Sequence, residues 1–477
     1  MKLTNLFIIL LVVGSNASAA VYHAQGEMTG EVSETSAILQ SRLTASKGLV
    51  NGDVPGAKGV GRFEYSENAD FGDWKATKLL DAGAENDYIL KARIAGLKPG
   101  ARYLYRLQFG ENADSLRAGP VRSFRTLQGR GGDDEVSFVV VTGMNYPAFH
   151  FGRPKNGVRT GDGAYQGPDK HLGYPALAAM MKLEPDFLIG TGDNVYYDSH
   201  DKEDATDITG MRRKWHEQFV QPRFAELFSR TATYWEKDDH DHRYNDCDCE
   251  GTRPPTSDLG IRIFREQVPV VDPLDPDAKT YRTFRLNRNL QIWLVEGRDY
   301  RSPNKMEDGP DKTLWGAEQI RWLKQTLSAS DATYKILISP TPLVGPDDAY
   351  KIDNHTNHKG FRQEGRKFFA WIKEQKLDQK GFYVICGDRH WQYHSIDPTG
   401  IEEFSSGAIC DANSRGGRRP GDPRSTDPKG EIKQLHRQKE ASGGFLRVVA
   451  LKTGDARFEF YDEKGELLYR TIKTRAH

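Results

Sequence analysis

Short stretches of alternating apolar and polar residues occupy the first quarter of the chain. Residues 88–94 and 103–109 alternate in this way, and prolines and glycines separate such stretches from one another. Alternation with a period of two is typical of half-buried β-strands. No long window in this region has the period of a helix. The pattern predicts an all-β sandwich over residues 20–128.

The pattern changes after a glycine-rich segment at residues 128–134, whose composition predicts a flexible linker. From residue 134 to residue 477, runs of consecutive apolar residues alternate with helical patterns. The predicted strands cover residues 136–141, 186–189, 231–235, 290–295, 334–338 and 382–385, and the longest predicted helices cover residues 211–229 and 317–327. Strands that alternate with helices indicate an α/β domain built in layers.

The N-terminus carries the three regions of a secretory signal peptide in the right order. Lys2 is the positive charge, residues 6–13 are apolar, and Ala17, Ser18 and Ala19 resemble a cleavage site. The apolar run is too short to cross a bilayer. We therefore expect residues 1–19 to be removed and the mature protein to lie in the periplasm or outside the cell.

Composition excludes some partners and leaves other questions open. The chain has 67 basic and 67 acidic side chains, so its formal net charge is zero. This balance gives no bulk attraction to nucleic acid or to a membrane surface. The four cysteines, Cys247, Cys249, Cys386 and Cys410, allow three complete disulfide pairings, among which the sequence does not decide. Oligomeric state is equally open.

Carboxylate, imidazole and amide side chains follow the ends of four predicted strands. The segments are 190–196 with Asp193, 238–242 with Asp239 and His240, 296–299 with Arg298, and 387–390 with Asp388 and His390. Strand ends meet at one edge of an α/β sheet, where ligands bind. So many acids would repel one another unless cations lay between them, and these side chains are ligands of divalent metals.

Each of these segments alone has an ordinary structural interpretation. A Gly-Asp pair after a strand is a common turn, a single histidine often completes a core, and a run of charges is usually solvated. Their order within one domain is what favours a metal site. Metal-activated water beside an imidazole is suited to the hydrolysis of a charged ester. The sequence therefore predicts a metal-dependent hydrolase.

These motifs resemble those of the alkaline phosphatase D family, within the calcineurin-like metallophosphoesterases. Residues 192–197 resemble the family's GDxxYE element, 238–246 its DDHDYGxND element and 387–390 its GDxH element. Residues 97–103 resemble the tyrosine corner of fibronectin type III domains, which the family carries in front of its catalytic domain. The resemblance implies an αββα double sheet over residues 134–477, preceded by a fibronectin-like sandwich, and small phosphate esters as substrates.

The resemblance also implies roles for individual residues. Metal ligands would be Asp193, Tyr196, Asp239, Asn245, Asp388 and His390, with Asp353 or His355 in place of a late acid of the family. His240 would donate a proton to the leaving group or contact phosphate. Arg298 and Arg389 would hold phosphate, or would be ordinary ion-pair partners. Two or more ions of calcium, manganese, zinc or iron would be bound.

The chain departs from the family pattern at the end of its first catalytic strand. Gly143 occupies the position of a cysteine that binds iron in the family, and Glu296 stands where the family has Asp. The first departure motivates an alternative, in which the chain is a catalytically impaired or non-enzymatic binding protein on the same fold. The sequence leaves open the natural substrate, the choice between mono- and diesters, and the metal.

Overall fold

The structure is a computed structural model that describes residues 20–155, 158–198, 204–275 and 277–474. The signal peptide expected at residues 1–19 lies outside the described residues. In chain order the strands are β1 (Glu27–Gly30), β2 (Ser36–Arg42), β3 (Gly59–Ser66), β4 (Lys75–Ala76), β5 (Leu80–Ala82), β6 (Ile89–Ala95), β7 (Arg102–Gly110), β8 (Arg117–Ala118), β9 (Arg122–Arg125), β10 (Val136–Val141), β11 (Pro154–Lys155), β12 (Val158–Arg159), β13 (Phe187–Thr191), β14 (Ala232–Glu236), β15 (Arg282–Arg285), β16 (Leu290–Leu294), β17 (Tyr334–Ser339), β18 (Phe382–Cys386), β19 (Gln392–Ile396), β20 (Glu402–Ser406), β21 (Lys433–Arg437), β22 (Gly444–Ala450), β23 (Ala456–Asp462) and β24 (Leu467–Lys473). The helices are α1 (Tyr146–Phe151), α2 (Pro175–Lys182), α3 (Ile208–Phe219), α4 (Pro222–Phe228), α5 (Ser257–Gln267), α6 (Gly316–Ser328) and α7 (Arg362–Glu374).

Two large sheets face each other at the centre of the molecule. One has the order β24-β23-β22-β10-β13-β14-β1-β2-β6, and the other has the order β15-β16-β17-β18-β20-β19-β21. In β10, Phe138 and Val140 point into the core between the sheets, whereas Val139 and Val141 point outward. Successive side chains of a strand point to opposite faces, so a run of apolar residues is buried on both sides.

Helices cover the outer faces of both sheets. The face of β10 that carries Val139 packs with α2, α3, α4 and α5, and Trp293 of β16 packs on the other side with α6 and α7. The expected αββα arrangement is therefore confirmed. The single helix expected over residues 211–229 is wrong, because the chain forms α3 and α4 there. Pro222 lacks the backbone N–H that a continuous helix requires, and it begins α4 instead.

The N-terminal sandwich shares one of its layers with the catalytic part. Its strands β1, β2 and β6 extend the nine-stranded sheet, and Gly30 pairs in parallel with Thr233 of β14. The other layer is a sheet of β4-β3-β7-β8, with β5 on β3 and β9 on β7. The sandwich is present, but it is not separate, since the core between its layers continues into the core between the two large sheets.

The junction between the two parts is ordered rather than flexible. Gln128 donates its backbone N–H to the carbonyl of Leu286, and a short 3-10 turn covers Gly129–Gly131. The expectation of a flexible linker was wrong, because amino-acid composition does not predict such tertiary hydrogen bonds. At the nearby turn, Lys98 donates its backbone N–H to the Tyr103 hydroxyl over 3.0 Å, as expected for a tyrosine corner.

A buried ion cluster fastens the N-terminal part to α3. The Nε2 atom of His216 lies 2.6 Å from Asp87, and its Nδ1 atom lies 2.7 Å from Asp53. Arg42 is 3.1 Å from the other oxygen of Asp87. Burial alone would raise the pKa of Asp87, but His216 and Arg42 outweigh it and lower that pKa to about 2.

This cluster predicts a loss of stability in acid. Because the pKa of folded Asp87 lies below its ordinary value of 3.8, its contribution is complete above the ordinary value and disappears as pH falls through the folded value. We expect about 2 kcal/mol of the unfolding free energy to be lost between about pH 5 and about pH 2 through this group. Urea unfolding of wild type and Asp87→Asn measures it. Unfolding free energies of the two proteins that change in parallel with pH would contradict this prediction.

Candidate active site

The carboxyl ends of the parallel strands open into a cavity of about 480 Å³. Six of the residues singled out from the sequence line it: Asp193, Tyr196, His240, Asn245, Asp388 and His390. They follow β13, β14 and β18, which belong to the two different large sheets. The cavity therefore lies where the edges of the two sheets meet, as expected for residues at strand ends.

Two groups of potential metal ligands lie side by side at this cavity. Asp193, Asp239 and His240 form one group, and Asp239, Asp246 and Asp353 form the other. Within each group the ligand atoms lie within 4.8 Å of one another. Asp239 belongs to both groups, and its carboxylate accepts the backbone N–H groups of His240 and Asp246. These two bonds fix the shared carboxylate between the groups.

Three acids that line the cavity lie in turns with a strained backbone. Asp193, Asp246 and Asp388 have backbone φ angles of 53°, 53° and 54°, in the left-handed region that side chains other than glycine rarely adopt. Such strain persists only where the surrounding structure fixes it. At Gly192 an added Cβ would lie 2.4 Å from the Cβ of Asp238. The glycine thus allows the turns after β13 and β14 to approach each other.

Several buried oxygens in this cluster have no hydrogen-bond partner among the described residues. They are Oδ1 of Asp193, Oδ2 of Asp238 and both carboxylate oxygens of Asp353. Burial raises the pKa of Asp238 well above its ordinary value despite Arg298, and the neighbouring acids raise it further. Buried carboxylates are normally paired or bound to metal. The residues present therefore fit divalent cations.

His240 is held in place by an acid that the motifs did not include. The Nδ1 atom of His240 lies 2.5 Å from Oδ1 of Asp198, whose Oδ2 accepts the backbone N–H of Asn245 over 2.7 Å. Burial favours the neutral imidazole, but Asp198 and Asp239 outweigh it and raise the pKa of His240 well above its ordinary value. The ring also packs against Tyr196, with ring centroids 4.2 Å apart.

Arg298 and Arg389 do not line the cavity. Both are fully buried. Arg298 donates to Asp238 over 2.8 Å and to the carbonyl of Cys247, and Arg389 pairs with Asp347 and Asp388. Both arginines are therefore ion-paired in the structure, which is one of the two roles expected for them. Asp388 lines the cavity while Arg389 holds one of its oxygens.

Comparison with known proteins identifies the family to which the chain belongs. A model of the PhoD-like phosphatase family matches residues 138–442, and a model of its N-terminal domain matches residues 13–128. The chain belongs to the PhoD-like phosphatase family. This is a family of phosphoric ester hydrolases, and nothing in the comparisons favours a non-catalytic binding protein.

Individual relatives agree with this PhoD-like assignment. Alkaline phosphatase D of Bacillus subtilis (strain 168) is 22% identical over 425 residues, which are 80% of this chain and 66% of that relative. The chain thus spans just under two thirds of the relative's length. A structure of PhoD has a TM-score of 0.71 at 16% identity and covers 95% of this chain and 89% of its own. Purple acid phosphatase PPD1 from yellow lupin has a TM-score of 0.60 at 12% identity, covering 94% and 73%. Both structures share the fold.

In this PhoD-like chain an amide network surrounds Gly143, the position at which the resemblance implied a cysteine in the family. Asn413 donates through Nδ2 to the carbonyl of Gly143 over 3.0 Å and to the Tyr196 hydroxyl over 2.8 Å. The same hydroxyl donates to Asp193 over 2.9 Å and lies 3.2 Å from His390. The four cysteine thiols are free, and the cavity contains none of them. Its donor set is therefore oxygen and nitrogen.

Restoring the cysteine is expected to destabilise the protein. Gly143 has a φ of +64°, and an added Cβ would lie 2.9 Å from the Cβ of Ala408 and 3.1 Å from Asn413. We expect Gly143→Cys to lower the unfolding free energy by about 1–3 kcal/mol, measured by urea denaturation. Gly96→Ala is the control, because its φ of +74° is similar but its Cβ would meet nothing. Equal losses in the two variants would show that crowding is not involved.

Other residues of the cavity wall were not predicted from the sequence. These are Asn145, Arg153, Asp198, Tyr350, Lys351, Asn413 and Arg415. They lie between or beyond the recognised motifs, in loops whose conformation no hydrophobic period describes. Asp198 had the best available signal, since it directly follows Tyr196-Tyr197 at the same strand end.

Proposed function

We propose that this chain is an exported, metal-dependent phosphoesterase that hydrolyses small phosphate esters in the cavity at the strand ends. The observation that supports the proposal is the pair of adjoining acidic groups, in which Oδ1 of Asp193 and both carboxylate oxygens of Asp353 are buried without a hydrogen-bond partner among the described residues. Family membership agrees with this chemistry.

The two acidic groups are our candidates for two metal positions. Asp193 and Asp239 would hold one ion beside His240, and Asp239, Asp246 and Asp353 would hold the other. Tyr196, Asn245, Asp388 and His390 line the same cavity and would complete the coordination or orient the ligands. When bound, the ions would lower the pKa of water and neutralise phosphate oxygens. Oxygen and nitrogen donors suit calcium, manganese, zinc or iron.

The side chains around the ions would bind and orient the substrate and transfer a proton. His240 faces the cavity while Asp198 holds its Nδ1 atom, so its Nε2 atom is the candidate donor of a proton to the leaving oxygen. Arg153, Lys351 and Arg415 place positive charge on the cavity wall, where an anionic substrate enters.

Export is part of the proposal and rests on the N-terminal sequence. A charged residue, an apolar run and a small-residue cleavage site occur in order within residues 1–19. No helix within the described residues is long and apolar enough to span a membrane. We propose that the mature protein lies in the periplasm or is secreted. N-terminal sequencing of protein recovered from outside the cytoplasm tests the cleavage site.

One assay tests the enzymatic proposal directly. The full mature protein is stripped with chelator and then reloaded separately with calcium, manganese, zinc or iron. Turnover of p-nitrophenyl phosphate and of the bis ester is measured, with bound metal quantified by elemental analysis. We expect activity that depends on at least one ion. Absence of both turnover and bound metal under every condition would refute the proposal.

A further inference from the structure

Lys351 places a fixed cation in the wall of the candidate active site. Its Nζ atom lies 2.7 Å from Oδ1 of Asp246 and 3.6 Å from Oδ1 of Asp388, and its side chain is only 5% exposed. The residue nevertheless lines the cavity. A buried ammonium with two carboxylate neighbours is restricted in position, because leaving either partner would cost it a charge interaction in a poorly solvated place.

The other carboxylate oxygen of Asp388, Oδ2, already has an ion-pair partner. Arg389 pairs with that oxygen and also with Asp347, so Asp388 is held from one side by a buried guanidinium and faces Lys351 on the other. The backbone N–H of Lys351 donates to the carbonyl of Asp348 over 3.2 Å, which fixes the loop that carries the lysine. An ammonium has three N–H donors, and of its two carboxylate neighbours only Asp246, at 2.7 Å, lies within hydrogen-bond distance. The ammonium therefore has donors available for an anionic ligand in the cavity.

The other two cations of the cavity wall are held differently. Arg153 donates through Nε and Nη2 to the carbonyls of Ala412 and Ser414, and it is exposed to solvent. The side chain of Arg415 is 33% exposed and lies over the ring of Trp391. A solvated guanidinium contributes less to the binding of an anion than a desolvated ammonium does. Among the lysines and arginines that line the cavity in the described part of the chain, Lys351 is the buried one.

We infer that Lys351 binds a phosphate oxygen of the substrate, and thus does what the sequence assigned to Arg298 and Arg389. The inference rests on the proposed phosphoesterase function and adds to it a substrate-binding side chain outside the recognised motifs. Lys351 lies beside Asp246, a member of the second acidic group. A phosphate that reaches the metal positions therefore also comes within the range of the ammonium.

Inorganic phosphate is the probe that tests this inference. Calorimetric titration of the full metal-loaded chain compares wild type with Lys351→Met, and elemental analysis measures metal content in both. Loss of one charge-assisted hydrogen bond should weaken phosphate binding by about 10- to 100-fold with metal content unchanged. Lys335→Met is the matched control, since Lys335 is also buried but lies near the opposite end of β17 and donates to the carbonyl of Ala332. Its affinity for phosphate should equal that of wild type.

Two results would overturn the inference. Phosphate affinity that is the same in Lys351→Met and wild type would show that the ammonium does not reach the anion. A fall in bound metal would show that Lys351 is a counter-ion of the acidic groups. If Lys351→Met does not fold, Lys351→Gln keeps hydrogen-bond donors for Asp246 without the charge and is judged by the same two measurements. Since the titration needs no turnover, a failure of the proposed activity is scored separately.

Discussion

Asp239→Asn is expected to lower kcat/KM for p-nitrophenyl phosphate by at least about 10³-fold and to reduce bound metal. Asp239 is the carboxylate that both acidic groups share, so the substitution removes a charged ligand from each candidate metal position at once. The asparagine amide has nearly the same shape, and its oxygen can still accept the backbone N–H of His240 or of Asp246. The turn after β14 should therefore persist.

Two further variants help to interpret the result for Asp239→Asn. Asp193→Asn removes a ligand from one group only, so its loss of metal should be smaller than that of Asp239→Asn. Asp311→Asn changes an exposed carboxylate and should leave metal content and kcat/KM unchanged. Metal content is read by elemental analysis and folding by circular dichroism. Full metal occupancy and wild-type kcat/KM in Asp239→Asn would remove the shared carboxylate from the site.

The layered fold was predictable because consecutive apolar residues leave few alternatives. A strand such as β10 has no polar face, so it must lie between a second sheet and a layer of helices. The joining of the N-terminal sandwich to the large sheet was not predictable. Alternation over residues 88–94 predicts the strand that becomes β6, but it does not identify β2 as its partner or β1 and β14 as the strands beyond. Such pairing is set by tertiary packing.

The candidate site was predictable where chemistry follows a strand directly. Asp193, Asp239 and Asp388 come two or three residues after β13, β14 and β18, so their convergence follows from topology. Lys351 and Asn413 lie in loops well beyond a strand, and no local pattern fixes where such loops fold.

Side-chain charge alone did not show whether Arg298 and Arg389 bind phosphate or pair with buried acids. Arg298 and Arg389 follow strand ends as the acids do, and a guanidinium suits phosphate and carboxylate equally well. Inside this fold, Asp238 and Asp347 reach the two guanidiniums, and both arginines are buried. Only the packed structure shows that these carboxylates lie beside the two guanidiniums.

His240→Gln is expected to lower kcat by about 10²- to 10⁴-fold if the imidazole protonates the leaving oxygen. The loss should be greater for phenyl phosphate than for p-nitrophenyl phosphate, because a good leaving group needs less help from an acid. If His240 acts instead as a metal ligand of the group it forms with Asp193 and Asp239, bound metal should fall and both substrates should lose rate equally. Steady-state kinetics with both esters and elemental analysis separate the two roles.

Asp198 provides the internal check on this role, because its carboxylate lies 2.5 Å from Nδ1 of His240. Asp198→Asn should lower kcat by about 10- to 100-fold through loss of orientation, with metal retained. Residues that act as one unit are not additive, so the double variant should be no slower than His240→Gln alone. Independent losses that multiply in the double variant would mean that Asp198 acts elsewhere. Its second oxygen, which accepts the backbone N–H of Asn245, would then be the part that matters, through the loop that carries Asn245 and Asp246.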